Sequence, residues 1–199
     1  KWKPLLDTKI KQLVLQATDS LYTVHYDDIH VNLALGNLTI DNLHLIPDSI
    51  VYKKLELLKK APDNRYAIII NKLKIKSFGI RKVLMDKELF LHDITVDTPT
   101  IHVINEVHSY NDTVSQGPKK PLYEKIKDNL KKIHVEAVNL NNIDFKYTQV
   151  QKGVHQDFEI KKVKVRIDDV LIDSTSEQDS QRFYHTKMID IEVPGFTYK

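Results

Sequence analysis

The first segment of the chain carries its apolar residues at helical spacing. One stripe with a period of about 3.6 residues holds Leu6, Ile10, Leu13, Val14, Ala17 and Leu21. Pro4 suits the first turn of a helix, and Lys9 and Lys11 lie on the opposite, polar side. We predict an amphipathic N-terminal helix that packs on a sheet, with a membrane-surface helix as the alternative. Shorter helices are predicted at 49–60, 80–86 and 122–131.

Most of the remaining chain alternates apolar and polar residues with a period of two, which is typical of strands. Gly36 and Asn37 form a candidate turn inside one of these segments, so 29–46 is predicted to be a hairpin. The predicted strand regions are 22–26, 29–46, 66–78, 89–103, 133–147, 158–172 and 183–198.

The alternation changes phase at a recurring step. Apolar residues stand at i, i+2, i+5 and i+7, first at Leu38, Ile40, Leu43 and Leu45. On a strand the extra residue indicates a β-bulge or an exchange of buried faces. The same step recurs in 68–75, 94–103, 133–140, 158–165 and 191–198.

Repeated bulges bend and twist a sheet. We therefore predict an α+β fold: a long, curved, mostly antiparallel sheet with the N-terminal helix and a few short inserted helices. The step recurs at unequal intervals, which favours a meander of strands over a stacked solenoid. We expect 1–199 to form a single β-rich domain, with a candidate internal seam at 106–120.

Composition and charge argue against several classes of function. The 199 residues include 30 Lys and Arg against 27 Asp and Glu, a net charge of +3 that is spread along the chain. A nucleic-acid binder usually concentrates basic residues, so we expect no nucleic-acid partner. The absence of cysteine excludes disulfides, thiolate zinc sites and cysteine nucleophiles.

Candidate catalytic residues do not form a recognisable motif. The nine histidines lack metal-ligand spacing, and most stand at polar strand positions, where we expect them to face solvent. The adjacent carboxylates Asp168 and Asp169 point to opposite faces of a strand. With five glycines and no phosphate-binding loop, the sequence predicts no enzyme, no cofactor and no metal site.

The first residues suggest a link to a membrane. Trp2 lies between Lys1 and Lys3, a pattern typical of the border of a membrane span, although a core tryptophan is an equal alternative. Because the sequence begins at Lys1 rather than Met, we expect it to be a fragment of a longer protein.

Two stretches carry a resemblance to a known family. Residues 35–45 (LGNLTIDNLHL) and 94–103 (ITVDTPTIHV), following an amphipathic helix, resemble the amino-terminal region of AsmA-like proteins. The resemblance implies a periplasmic body in a Gram-negative bacterium, anchored to the inner membrane by a segment upstream of Lys1. It also implies an apolar β-groove that serves lipid traffic or outer-membrane homeostasis.

A strand that changes phase would present apolar residues to both faces of its sheet, one set on the helices and the other in a groove. The partner would then be a phospholipid or another lipid.

A protein-interaction or assembly module that pairs through its sheet edges with an envelope protein is the main alternative. A carbohydrate-binding or hydrolytic enzyme is weaker, because it requires two convergent carboxylates. The groove candidates are Leu38, Ile40, Ile94, Val96, Val138, Leu140, Val163 and Val165.

Overall fold

The computed structural model describes residues 2–32, 34–77, 79, 81–111, 121–151 and 153–194. Over these residues the chain forms one large, mostly antiparallel sheet of nine strands with few helices. The prediction of a mixed fold built on such a sheet is confirmed. None of the described helices has the length and apolar character needed to cross a membrane.

The helices are shorter than their sequence patterns predict. Helix α1 spans Trp2–Ala17, α2 spans Ser49–Leu57 and α3 spans Leu122–Ile126. The Asp48 side chain starts α2 by accepting hydrogen bonds from the backbone N–H groups of Ile50 and Val51. A π-helical turn occupies Lys82–Asp86 in place of the predicted helix over 80–86, of which residue 80 lies outside the described residues.

The strands follow most of the predicted regions, but 89–103 is divided into two strands. Of the predicted strand 183–198, only Met188–Glu192 forms a strand, and 195–198 lie outside the described residues. Their bounds are β1 Tyr22–His25, β2 Asp28–Asn32, β3 Asn37–Pro47, β4 Asn64–Lys76, β5 Glu88–Asp97, β6 Thr100–Glu106, β7 Lys132–Gln151, β8 Val154–Ile172 and β9 Met188–Glu192. The predicted hairpin over 29–46 is confirmed as β2 paired antiparallel to β3, with Gly36 at a positive φ of 62°. The predicted phase step over 191–198 ends outside the described residues.

The sheet connects both halves of the chain. Strands β1 and β2 pair with β3, β3 pairs with β4, and β4 pairs with both β5 and β6. Strand β7, which follows the predicted seam, lies parallel to β5 and β6, which precede it. Of the seam itself, 112–120 lie outside the described residues. Strands β8 and β9 complete the sheet.

A line of irregular positions crosses the sheet, and three of its four residues lie within predicted phase steps, whereas Asn142 follows the step predicted over 133–140. Asn42, Thr98, Asn142 and Lys162 have positive φ angles of 53°, 54°, 53° and 62°. Between β3 and β4 the register is the same on both sides of this level: Asp41 faces Lys72, and Leu43 faces Ile70. Between β7 and β8 the register shifts after Leu140 and again after Ile143. We call these four irregular positions the break line. In each strand that contains one of them, this residue is one more than strict apolar-polar alternation would require.

The register aligns aliphatic residues into two rows on one side of the break line. Residues that face each other in neighbouring strands share a face of the sheet, so each row lies on one face. The first row contains Leu38, Ile75, Ile94, Val138, Ile167 and Ile189. The second row contains Ile40, Leu73, Val96, Leu140, Val165 and Ile191.

Helix α1 packs against this face near one end of the rows. The main core cluster joins Leu6 of α1 to five buried residues of the sheet, which confirms the predicted packing of the helix. At the other end of the rows, Ile189 and Ile191 of β9 are 40% and 58% exposed. The five sheet residues of the cluster are Ile29, Leu38, Ile40, Leu91 and Val135.

Candidate functional site

An apolar cavity of about 390 Å³ lies between α1 and the sheet. Among the described residues, those that line it are aliphatic except Lys9 and Asn129. The helix contributes the stripe that the sequence predicts, so its apolar side faces the cavity as well as the core. The members of that stripe that line the cavity are Leu6, Ile10, Leu13 and Val14.

Strands β3 and β4 form the largest part of the cavity wall. They contribute Leu38, Ile40, Leu43, Leu45, Ile68, Ile70, Leu73 and Ile75. In a strand that alternates strictly, Ile40 and Leu43 would point to opposite faces, because they are three residues apart. The left-handed conformation of Asn42 keeps them on the same face.

The buried face is therefore preserved in β3 through Asn42, and β4 keeps its own buried face although none of its described residues has a positive φ. The expectation that a phase change presents apolar residues to both faces of the sheet is wrong for these strands. Residues before and after the phase change contact the same cavity. The sequence step thus marks a level at which β3 and β4 each gain one residue and their register stays unchanged, and neither a two-against-one bulge between them nor an exchange of faces occurs here.

The eight predicted groove residues take different places around this site. Leu38 and Ile40 line the cavity, and each is 3% exposed. Val96 is 2% exposed within the core, and Ile94 and Val138 pack against the core cluster. The remaining three are half-buried on β7 and β8, outside the cavity wall: Leu140, Val163 and Val165.

The residues of β4 and α1 were missing from that prediction. The signal for β4 was present, since Ile68, Ile70, Leu73 and Ile75 repeat the phase step of the strand beside them. Only the pairing of β3 with β4 shows that the two sets form one wall.

The polar edge of the cavity ties the helix to a distant segment. The Lys9 ammonium donates to the side-chain oxygen of Asn129 over 3.1 Å, and the Asn129 amide donates to Gln16. On the other side of α1, Tyr26 donates to Asp7 over 2.5 Å. Hydrogen bonds from Lys11 and Tyr26 hold the pKa of Asp7 below its usual value, and burial raises the pKa of Tyr26.

A second group of polar residues lies beside α2. One ligand atom from each of Glu56, Glu106 and His108 comes within 4.8 Å of the others. Arg65 bonds Glu106 over 2.7 Å, and Tyr52 bonds the His108 Nε2 over 2.9 Å. Burial raises the pKa of Tyr52 to about 12. Protein partners thus engage one atom each of Glu106 and His108.

The histidines only partly follow the expectation of solvent-facing positions. Four are exposed and five are half-buried. His102 bonds Thr148 over 2.7 Å and His134 bonds Asp169 over 2.8 Å. These half-buried rings find partners across the sheet, which a sequence pattern does not reveal.

Comparison with known proteins adds no relative: no protein-family model matches the chain, and no curated protein sequence matches it.

Proposed function

We propose that this chain is a non-enzymatic lipid-binding domain whose cavity holds a hydrocarbon chain. The observation that carries the proposal is the aliphatic cavity wall formed by both sides of the break line in β3 and β4. Its volume of about 390 Å³ falls within the range of roughly 300–1,000 Å³ for ligand pockets. A wall with so few hydrogen-bonding groups favours a ligand by burial of apolar surface, at about 25 cal/mol per Å².

The two apolar rows extend the proposal beyond the cavity. They continue across β5, β7 and β8 to the exposed Ile189 and Ile191 of β9. We propose that the sheet is curved along these rows, so that they form a groove for lipid that continues from the cavity. The groove candidates of these rows with partly exposed side chains would line that continuation: Ile94, Val138, Leu140 and Val165.

The resemblance to AsmA-like proteins suggests the cellular setting. We propose a periplasmic location, an inner-membrane anchor upstream of Lys1 in a longer protein, and a role in lipid traffic or outer-membrane homeostasis. The lipid-binding test below uses only the chain itself, so it does not depend on this setting.

Two neighbouring residues of β4 provide a matched test. Ile70 lines the cavity, whereas Ile69 does not and is 37% exposed. Ile70→Trp fills the cavity, and Ile69→Trp makes the same change at the adjacent position, which points to the opposite face of the strand. Native mass spectrometry with added palmitate measures the bound fraction of each protein.

We expect the wild type and Ile69→Trp to bind palmitate, and Ile70→Trp to lose at least tenfold in affinity while remaining folded by circular dichroism. Binding that is equal in both variants would contradict the cavity as the site. No binding by the wild type would contradict the lipid function.

A second candidate function uses the edge of the sheet. Strand β9 ends the strand order of the described sheet, and all five of its residues are exposed. An exposed edge strand is a template for pairing with another protein. If an envelope protein pairs with β9, the double variant Ile189→Lys, Ile191→Lys will no longer bind that protein. The variant Ile70→Trp will still bind it. The opposite pattern would exclude this function.

A further inference from the structure

Lys9 is set apart from the neighbouring lysines of α1 by its partners. Lys3 pairs with the Asp28 carboxylate, and Lys11 pairs with Asp7 over 2.8 Å. Lys9 is half-buried against the aliphatic cavity, and its ammonium bonds the neutral amide of Asn129. Among the residues that the structure describes, no carboxylate oxygen lies within 4.0 Å of the Lys9 ammonium.

This arrangement leaves both charge and hydrogen-bonding capacity at the cavity. A lysine ammonium has three N–H donors, and the bond to Asn129 uses one of them. The amide oxygen of Asn129 accepts a hydrogen bond but does not neutralise the positive charge. Next to an apolar wall the effective dielectric is lower than in water, which strengthens the attraction of Lys9 for an anion.

The chemistry of the cavity therefore specifies two parts of one ligand. The aliphatic wall of β3 and β4 matches a hydrocarbon chain, and the Lys9 ammonium matches an acidic group at the end of that chain. We infer that the ligand is a single-chain anionic amphiphile of the fatty-acid class, with its carboxylate at Lys9 and its chain along the sheet. This inference rests on the proposed function and adds the charge of the ligand to it.

The experiment compares two ligands of equal chain length in two variants of equal charge. Palmitate carries the carboxylate, and cetyl alcohol carries a neutral hydroxyl in its place. Lys9→Gln removes the proposed contact, whereas Lys53→Gln removes a charge from an exposed position on α2 outside the cavity wall. Displacement of a fluorescent fatty-acid probe measures the affinity of each variant and of the wild type for palmitate and for cetyl alcohol.

A hydrogen bond to a charged group predicts a preference of roughly tenfold or more for palmitate over cetyl alcohol in the wild type. We expect Lys9→Gln to abolish this preference by weakening palmitate alone, and Lys53→Gln to keep it. The midpoint of thermal unfolding of Lys9→Gln should remain close to that of the wild type, because the lost hydrogen bond to Asn129 lies at the edge of the cavity.

Each alternative result has a distinct meaning. Equal affinity of the wild type for both ligands would overturn the inference and leave the lipid function standing. A preference that survives in Lys9→Gln would also overturn it, because another group would then hold the carboxylate. If neither ligand binds, the proposed function fails as well.

Discussion

The side-chain amide of Asn42 in β3 donates to the Asp27 carboxylate over 3.0 Å, at the level where β1 gives way to β2. Asn42 has a φ of 53°, a left-handed conformation that asparagine and glycine tolerate better than other residues. The bond thus joins β3, at its left-handed residue, to the connection between β1 and β2.

Substitution of Asn42 tests whether the left-handed conformation matters for stability. Asn42→Ala loses the bond to Asp27 and places a Cβ in an unfavourable conformation, so we expect a loss of about 1–2 kcal/mol in the free energy of unfolding. Asn42→Gly loses the same bond without the steric cost and should lose less. Urea denaturation measures both. Equal losses would show that backbone conformation is not the source of the effect.

Truncation within one apolar row tests the difference between core and groove positions. Val96 and Val165 belong to the second row, but Val96 is 2% exposed and Val165 is half-buried. We expect Val96→Ala to lower the free energy of unfolding by about 2 kcal/mol and Val165→Ala by less than half of that. Guanidinium denaturation of the two variants provides the comparison. A larger loss at Val165 would mean that the rows are packed differently.

Asp169 provides a test of pH dependence. Hydrogen bonding from Lys187 lowers its pKa to about 2, against the opposing effect of burial and with help from His134 and Arg182. The nitrogen atoms of these partners lie 2.9, 2.8 and 3.0 Å from the carboxylate. Since the folded-state pKa lies below the unfolded value of about 3.9, this contribution to stability is complete above that value. It is lost as the pH falls towards 2.

The matched substitution is Asp169→Asn, because asparagine tolerates the positive φ of 55° at this position. At pH 7 we expect a loss of about 1–2 kcal/mol, after discounting for the partial exposure of the group. The difference from the wild type should shrink between about pH 4 and pH 2, as measured by thermal unfolding across that range. A difference that stays constant down to pH 2 would mean that charge at Asp169 contributes nothing.

The sequence predicts the strands and α1 well because their periodicity reflects burial on one face. It also identifies the level of the irregular residue in β3, since Leu38, Ile40, Leu43 and Leu45 depart from strict alternation by one residue. It does not reveal that both pairs face the same side, because the direction of a side chain after the irregular residue depends on the backbone conformation of Asn42.

The cavity was only partly predictable for a related reason. Its wall depends on which strand lies beside β3, and the pairing of Leu43 with Ile70 joins residues far apart in the sequence. The edge at Lys9 depends on Asn129, which is brought to α1 by the connection that contains α3. Spacing within one segment carries no information about such contacts.

The central claim is that a hydrocarbon chain lies between α1 and the face formed by β3 and β4. The most direct test is photo-crosslinking of the wild-type protein with palmitate that carries a diazirine on its chain, followed by peptide mapping with mass spectrometry. We expect adducts on cavity residues such as Leu13, Leu43 and Ile70, and their loss when unlabelled palmitate competes. Adducts confined to outward-facing positions such as Ile69, or adducts that unlabelled palmitate does not displace, would contradict the claim.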